Sequence, residues 1–427
     1  MLLALTWLLA CSGGAEAPAP SPSPGPKPEV HVAKEPTEAP TVAFAPGHRD
    51  AATTAPLPAT PDLVRVRGIL EGVVQQYGRD RGNPWAIVHA MLALGPTMTM
   101  PDGSDPVDFL FATYADEASI GPDTLVTFPR KKGRALVEPH TDLVLKALTE
   151  AGFQPDRKVV VQGQEHTLGD LYRYSLHRAW AKGMTTGFQE GGYNDSAWAL
   201  QGLSAWAPPD LAWTAAGGRK MTMKEFTTAV IDQLTLETKD MVAARDAGQV
   251  SRKDTRQGLY RYTCGGQHLV QGVAYAVARG FGEPDDTRRV CDQLDLLVWR
   301  IDVELNSIDP MLSSPAVTPP IATLLLSQRL KFLGHWLETV HKIAALGVCE
   351  LKPEHEAASR RVAGELVRTV DGLDKIGVWK DVGAVRGMRE FDDMGRDANQ
   401  VFLDLVGDSA HAVRGLDLAT GKGTIRY

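Results

Sequence analysis

The sequence predicts an all-α domain of six helical hairpins over residues 61–427, carried behind a proline-rich leader that ends near position 60. Three observations support that reading. Apolar residues recur at helical spacing almost throughout 61–427, with hardly any strand-like alternation. The block Asp195-Ser196-Ala197-Trp198-Ala199-Leu200-Gln201-Gly202-Leu203 returns as Asp408-Ser409-Ala410-His411-Ala412-Val413-Arg414-Gly415-Leu416 with six of nine positions identical. Proline is uneven as well: 12 of the 28 lie at or before Pro61, which sets the boundary there.

The leader divides in two. Residues 1–10, MLLALTWLLA, are apolar but far shorter than the ~20 residues that span a bilayer, and they have the size of a secretory signal's apolar region. Leu8-Leu9-Ala10-Cys11 resembles the lipobox of bacterial lipoproteins, in which the signal is cut before the Cys and that Cys is lipidated. The resemblance implies Cys11 as the lipidation site and a membrane partner held through its lipid. With Ser12 next rather than Asp, it implies the outer membrane of the cell envelope. No Lys or Arg precedes the apolar run, a departure from the family pattern that would fit a start codon further upstream. Residues 11–60 are rich in Pro, Ala, Ser and Thr and poor in large apolar groups, so burial cannot offset their ordering entropy. They read as a disordered, semi-stiff tether with a span on the order of 40 Å.

Composition excludes several functions. A net charge of −7 without a long basic run argues against a nucleic-acid partner. Four cysteines in 427 residues are too few for a disulfide scaffold. Cys264, Cys291 and Cys349 remain after Cys11, an odd set of which at most one pair is a disulfide in an oxidising compartment.

In the body, Thr60-Pro61 caps a first helix whose Leu63, Val66, Leu70, Val73 and Tyr77 share a face up to Gly78. Asn83-Pro84 starts a second, WAIVHAMLALG. Placing the repeated block in phase picks out Trp85, Asp142, Trp198, His268, Trp336 and His411 at broadly even intervals, each opening an apolar run. One further amphipathic helix falls in each interval, among them TLGDLYRYSLHRAW and EHEAASRRVAGELVRTV. Six such pairs resemble the (α/α)6 toroid of the terpenoid-cyclase or six-hairpin type. That resemblance implies apolar inner helices around a funnel, with Gly202, Gly272 and Gly415 letting inner helices approach. An open solenoid is the competing architecture.

A toroid implies parallel inner helices whose N-terminal ends meet at one opening. His89, His140, Asp195, Cys264, Gln267, His268, His335, Asp408 and His411 fall there, giving a candidate cavity of Asp195, Cys264, Gln267, His268, His335, Asp408 and His411. Taken singly, Asp and Asn are ordinary helix caps and a His in an apolar run is an ordinary hydrogen-bonded core residue; together they point to a binding cleft. A glycan- or peptide-directed hydrolase or lyase is one reading, with Glu190 beside Asp195 as candidate acid. Asp195 and Asp408, on opposite units roughly 16–20 Å apart, are too distant for the roughly 5–10 Å of a glycosidase pair. A zinc site is another: Cys264 and His268 stand four positions apart, with His335 or Asp195 one unit away. Zinc is held at this end in the lanthionine-cyclase-like and prenyltransferase-like toroids, whose cysteine motifs are absent here. Thr263-Cys264-Gly265-Gly266-Gln267 also resembles the Cys-Gly-Glu-Gln thioester motif of complement proteins, with Gly266 in place of Glu. A non-catalytic binding or scaffolding lipoprotein is the alternative to all of these.

Overall fold

The computed structural model describes residues 38–45, 50–52, 57–183, 185–188, 191–250, 253–254 and 256–426. Residues 1–10, read above as a signal, Cys11 and Glu190 lie outside the described residues. Helices begin where the capping chemistry places them. The Thr60 side chain accepts from Leu63 N at the head of α1 (Pro61–Tyr77), and Asn83 Oδ1 accepts from Ala86 N at the head of α2 (Pro84–Leu94). Then follow α3 (Pro106–Tyr114), α4 (Leu143–Ala151), α5 (Leu168–Arg178), α6 (Tyr193–Trp206), α7 (Met223–Asp246) and α8 (Gln267–Ala278). The last four long helices are α9 (Asp286–Leu312), α10 (Pro319–Ala345), α11 (Pro353–Lys375) and α12 (Ala398–Ala419), with a five-residue helix, Arg389–Asp393, before the last. Among the described residues the protein is mostly helical and every sheet is a single antiparallel strand pair.

The even-numbered helices are the more completely buried ones. α2 packs on α4, α4 on α6, α6 on α8, α8 on α10, α10 on α12, and α12 on α2 again. Each odd-numbered helix lies against an even one, as α1 does on α12 and α11 on α10. The three repeat glycines mark crossings between even helices. A Cβ on Gly202 would stand 2.9 Å from Leu145 Cγ, on Gly272 2.5 Å from the Ala197 carbonyl oxygen, and on Gly415 2.8 Å from Glu338 N. Where the obstacle is backbone, no side-chain rotation relieves it.

Three features depart from the sequence reading. Hairpins at 116–127, 131–136, 158–167, 181–186 and 212–222 join helices where the periodicity predicts helix. Each is a short insertion, and several bury apolar residues such as Leu125, Val126, Val159, Val161 and Trp213; in one, Gln162 and Gly163 adopt φ of 50° and 87°, the left-handed pair that closes a tight hairpin. The end of the leader is also docked rather than free. Ala39 and Leu57 are buried, Arg173 Nε donates to Pro40 O at 2.9 Å, and Ala45 N donates to Trp206 O at 2.9 Å. The Phe44 ring meets Tyr172 and Trp206 edge-on, and strand Asp50–Ala52 pairs with strand Thr424–Arg426. Composition averages hid these few apolar anchors. Third, α10 begins at Pro319 and α12 at Ala398, well ahead of His335 and Asp408, so the polar residues of the last two units are mid-helix rather than at helix N-termini.

Cys291 and Cys349 form a disulfide with Cα atoms 5.7 Å apart, and Cys264 stays a thiol. No helix among the described residues is long and apolar enough to cross a membrane.

Candidate functional site

The turn before α8 is unusual. Cys264, Gly265 and Gly266 adopt φ of 51°, 60° and 76°, three successive left-handed residues. Glycine tolerates that region and cysteine does so at a cost of order 1–3 kcal/mol. Two clamps hold the turn. Buried Arg300 on α9 donates from Nη1 to Gly265 O at 2.9 Å and pairs with Glu304 at 3.0 Å, while Glu304 also meets Lys253 at 2.6 Å. On the other side, Asn194 accepts from Thr263 N at 2.9 Å and donates to Thr263 Oγ1 at 3.0 Å. Cys264 is therefore not helical, so its four-position spacing from His268 does not place the two on one helix face. Gln267 is fully buried, donates to Phe332 O on α10 at 3.4 Å and is not among the residues that line the cavity described below.

Four imidazoles gather beyond this turn. His335 and His411 have ring centres 3.9 Å apart, His268 and His335 5.0 Å, His268 and His411 5.2 Å, and His89 and His411 5.3 Å. Nδ1 of His335 lies 2.8 Å from Lys331 O and Nδ1 of His89 2.8 Å from Trp85 O. A carbonyl only accepts, so both rings carry the proton on Nδ1 and present an unprotonated Nε2. Among the described residues, the buried His335 Nε2 has no hydrogen-bond partner. Burial first, and neighbouring imidazoles second, hold His89, His268 and His335 well below the ordinary imidazole range. Cys264 Sγ and one ring nitrogen each of His268 and His335 lie within 4.8 Å of one another, a set that could hold a metal ion.

His411 has a different support. Its Nδ1 lies 2.6 Å from Glu338 Oε2, a carboxylate with no exposed surface. Burial alone would raise Glu338, but Lys342 at 2.6 Å, and then His411, outweigh it and keep the carboxyl well below its usual range. Lys342 also meets Glu150 at 2.7 Å, and Glu150 meets Lys146 at 3.1 Å and Arg414 at 3.3 Å. This buried ion network joins α4, α10 and α12. Removing one member of such a network leaves the others uncompensated, which costs several kcal/mol in general.

An acidic group adjoins the imidazoles on the same two helices. Lys331 Nζ lies 3.0 Å from Asp404 and 4.0 Å from Asp408. Burial, with Asp404 adding to it and Lys331 opposing, pushes the Asp408 carboxyl well above the usual range. Helical spacing aligns both groups: Lys331, His335, Glu338 and Lys342 follow one face of α10, and Asp404, Asp408 and His411 one face of α12.

Beside these groups lies a cavity of about 70 Å³, closed on its other sides by Trp85, His89, His140 and Trp198. It has room for roughly five waters. His140 stacks on Trp198 with ring centres 4.4 Å apart and 2° between planes, backed by Asp195 3.5 Å away. Of the residues singled out in the sequence, Cys264, His268, His335, Asp408 and His411 meet at the cavity, joined by His89 and His140. Asp195 stands behind His140 and Gln267 faces α10. Lys331, Asp404 and Glu338 were not anticipated; their helical spacing, one turn from His335 and Asp408, was the available signal.

Comparison with protein-family models, with curated proteins and with solved structures finds no match for this chain.

Proposed function

We propose that the chain is a lipid-anchored cell-envelope protein whose helices close as an (α/α)6 toroid around a reaction cavity, where it acts as a hydrolase or lyase on a small acyl or peptide-like group. The observation that carries the reaction is His411, clamped by buried Glu338 at 2.6 Å and facing a cavity that also presents Asp408 one turn away on the same helix. A ring nitrogen oriented by a carboxylate is the usual proton acceptor, and a nearby carboxylic acid the usual donor.

The succession of contacts from α2 through α12 and back to α2 supports the closed ring over an open solenoid. The lipobox-like run and the Cys291–Cys349 disulfide support the envelope. Size argues against a sugar ring as the group that enters, since ligand pockets are generally on the order of 300 Å³ or more and this cavity is about 70 Å³. The two lining carboxylates, Asp404 and Asp408, also lie about Lys331 rather than face each other across a glycosidic bond. A purely scaffolding role has no use for His335 Nε2 and Asp408 Oδ2, both buried without a hydrogen bond among the described residues, at a cost of about 1–3 kcal/mol each.

The full chain is tested against a panel of chromogenic short acyl esters, acylated amino acids and dipeptides. The expected result is turnover of at least one, lost by about two orders of magnitude or more in His411→Ala. Absence of turnover across the panel, or equal turnover by the variant, overturns the reading.

A further inference from the structure

We propose that Cys264, His268 and His335 bind one transition-metal ion, zinc by the chemistry of the donors. The site is independent of the acid–base pair above and stands whether or not the cavity turns a substrate over.

The donors come from three places: a reversed turn, the first turn of α8, and the middle of α10. Their sulfur and nitrogen atoms nevertheless lie within 4.8 Å of one another. Ligands around tetrahedral zinc, at about 2.3 Å for sulfur and 2.0–2.1 Å for nitrogen, stand roughly 3.3–3.8 Å apart. Small side-chain rotations close that difference. The surroundings support the same reading. A histidine that ligates a metal generally donates its other ring N–H to a carbonyl or carboxylate, which fixes the tautomer; His335 does so to Lys331 O at 2.8 Å, and its buried Nε2 accepts no hydrogen bond among the described residues.

The turn itself is a second, independent sign. A non-glycine residue at φ 51° is retained between two clamps, Arg300 on Gly265 and Asn194 on Thr263. A glycine at 264 would relieve the backbone, so the side chain is what the turn keeps. Thiolate with imidazole favours zinc or copper over magnesium and calcium, which prefer all-oxygen shells. Three protein ligands leave a fourth position towards the cavity, the pattern of an open rather than a structural zinc site.

The test uses the full chain purified without chelator, with metal content measured by elemental mass spectrometry as purified and after dialysis against zinc. Cobalt(II) is added separately to the metal-stripped protein. The expected result is a stoichiometric metal ion and, with cobalt, a near-ultraviolet thiolate-to-metal charge-transfer band. Cys264→Ser should lose that band, and His335→Gln should lose the bound metal, while His341→Gln, a buried histidine of the same helix outside the set, should keep both. Substoichiometric metal after zinc dialysis, absence of the band in the wild-type chain, or full retention of metal in both ligand variants overturns the proposal. The wild-type cobalt spectrum decides even where a variant fails to fold.

Discussion

Glu138 lies at the turn before α4, 5 % exposed, with its Oε1 accepting from Val144 N at 3.0 Å. Burial, and then the neighbouring Asp142 carboxylate, push its carboxyl up from 4.5 to about 8, against the opposing pull of Arg178. The sign follows directly. Below pH 4.5 the group is protonated in both folded and unfolded chains and costs nothing. As pH rises, the unfolded chain ionises first, so stability falls progressively until the folded group also ionises near pH 8. At about 1.36 kcal/mol per unit, the penalty is on the order of 1 kcal/mol at pH 5.5 and on the order of 4 kcal/mol at pH 8. Glutamine keeps the acceptor oxygen for Val144 N and never ionises. Glu138→Gln should therefore be more stable than wild type by an amount that grows by about 3 kcal/mol between those pH values; Asp142 shares the site, so about 2 kcal/mol is the smallest growth expected. Urea unfolding of both proteins at pH 5.5 and 8 measures it, and the comparison cancels the shared groups that do not interact with Glu138. A difference that changes by less than about 1 kcal/mol across this range, or that shrinks, refutes the reasoning.

Two further outcomes test the fold. Gly272→Ala places a methyl 2.5 Å from the Ala197 carbonyl oxygen, and the α6–α8 crossing must widen; a loss of about 2 kcal/mol, net of alanine's better helix propensity, is expected as a lower urea midpoint at unchanged slope. A gain in stability would show that the helices do not touch there. Phe44→Ala removes the ring held edge-on by Tyr172 and Trp206, which should cost about 2 kcal/mol and speed proteolytic cleavage within residues 38–57. Unchanged stability and cleavage would mean that this stretch behaves as tether after all.

Much of this architecture was legible because helices announce themselves locally. Thr60 and Asn83 cap where a cap was expected, and Gly202, Gly272 and Gly415 recur at one repeat position because the same crossing recurs. The five hairpins were not legible because their strands are so short: even where burial alternates, as in Lys158–Val161 with Val159 and Val161 inside, only two residues face the core. The site was legible by residue type and not by depth. Periodicity tells which face of a helix a residue occupies, and it identified His335, Asp408 and His411; it does not tell how far along a helix as long as α10 the neighbours cross. Glu338 and Lys342 were invisible for the complementary reason. Inside LGHWLETVHK they look like the charged residues of an amphipathic surface, and only the approach of α4 and α12 buries them as partners of His411 and Glu150.

The pairing of Asp50–Ala52 with Thr424–Arg426 brings two stretches from opposite ends of the described chain side by side, and Arg426 Nη1 secures the second by donating to Ala151 O at 3.1 Å. A short linker from residue 426 to Asp50 would make residues 50–426 circular, leaving out only the docked 38–45 stretch among the described residues, and the ring could then be cut instead at the Gln162-Gly163 hairpin. Such a permuted gene would start mid-domain and still encode the same cavity, so the order in which the helix pairs are synthesised is separable from the order in which they pack. It also means that a reporter joined after residue 426 would emerge beside Asp50.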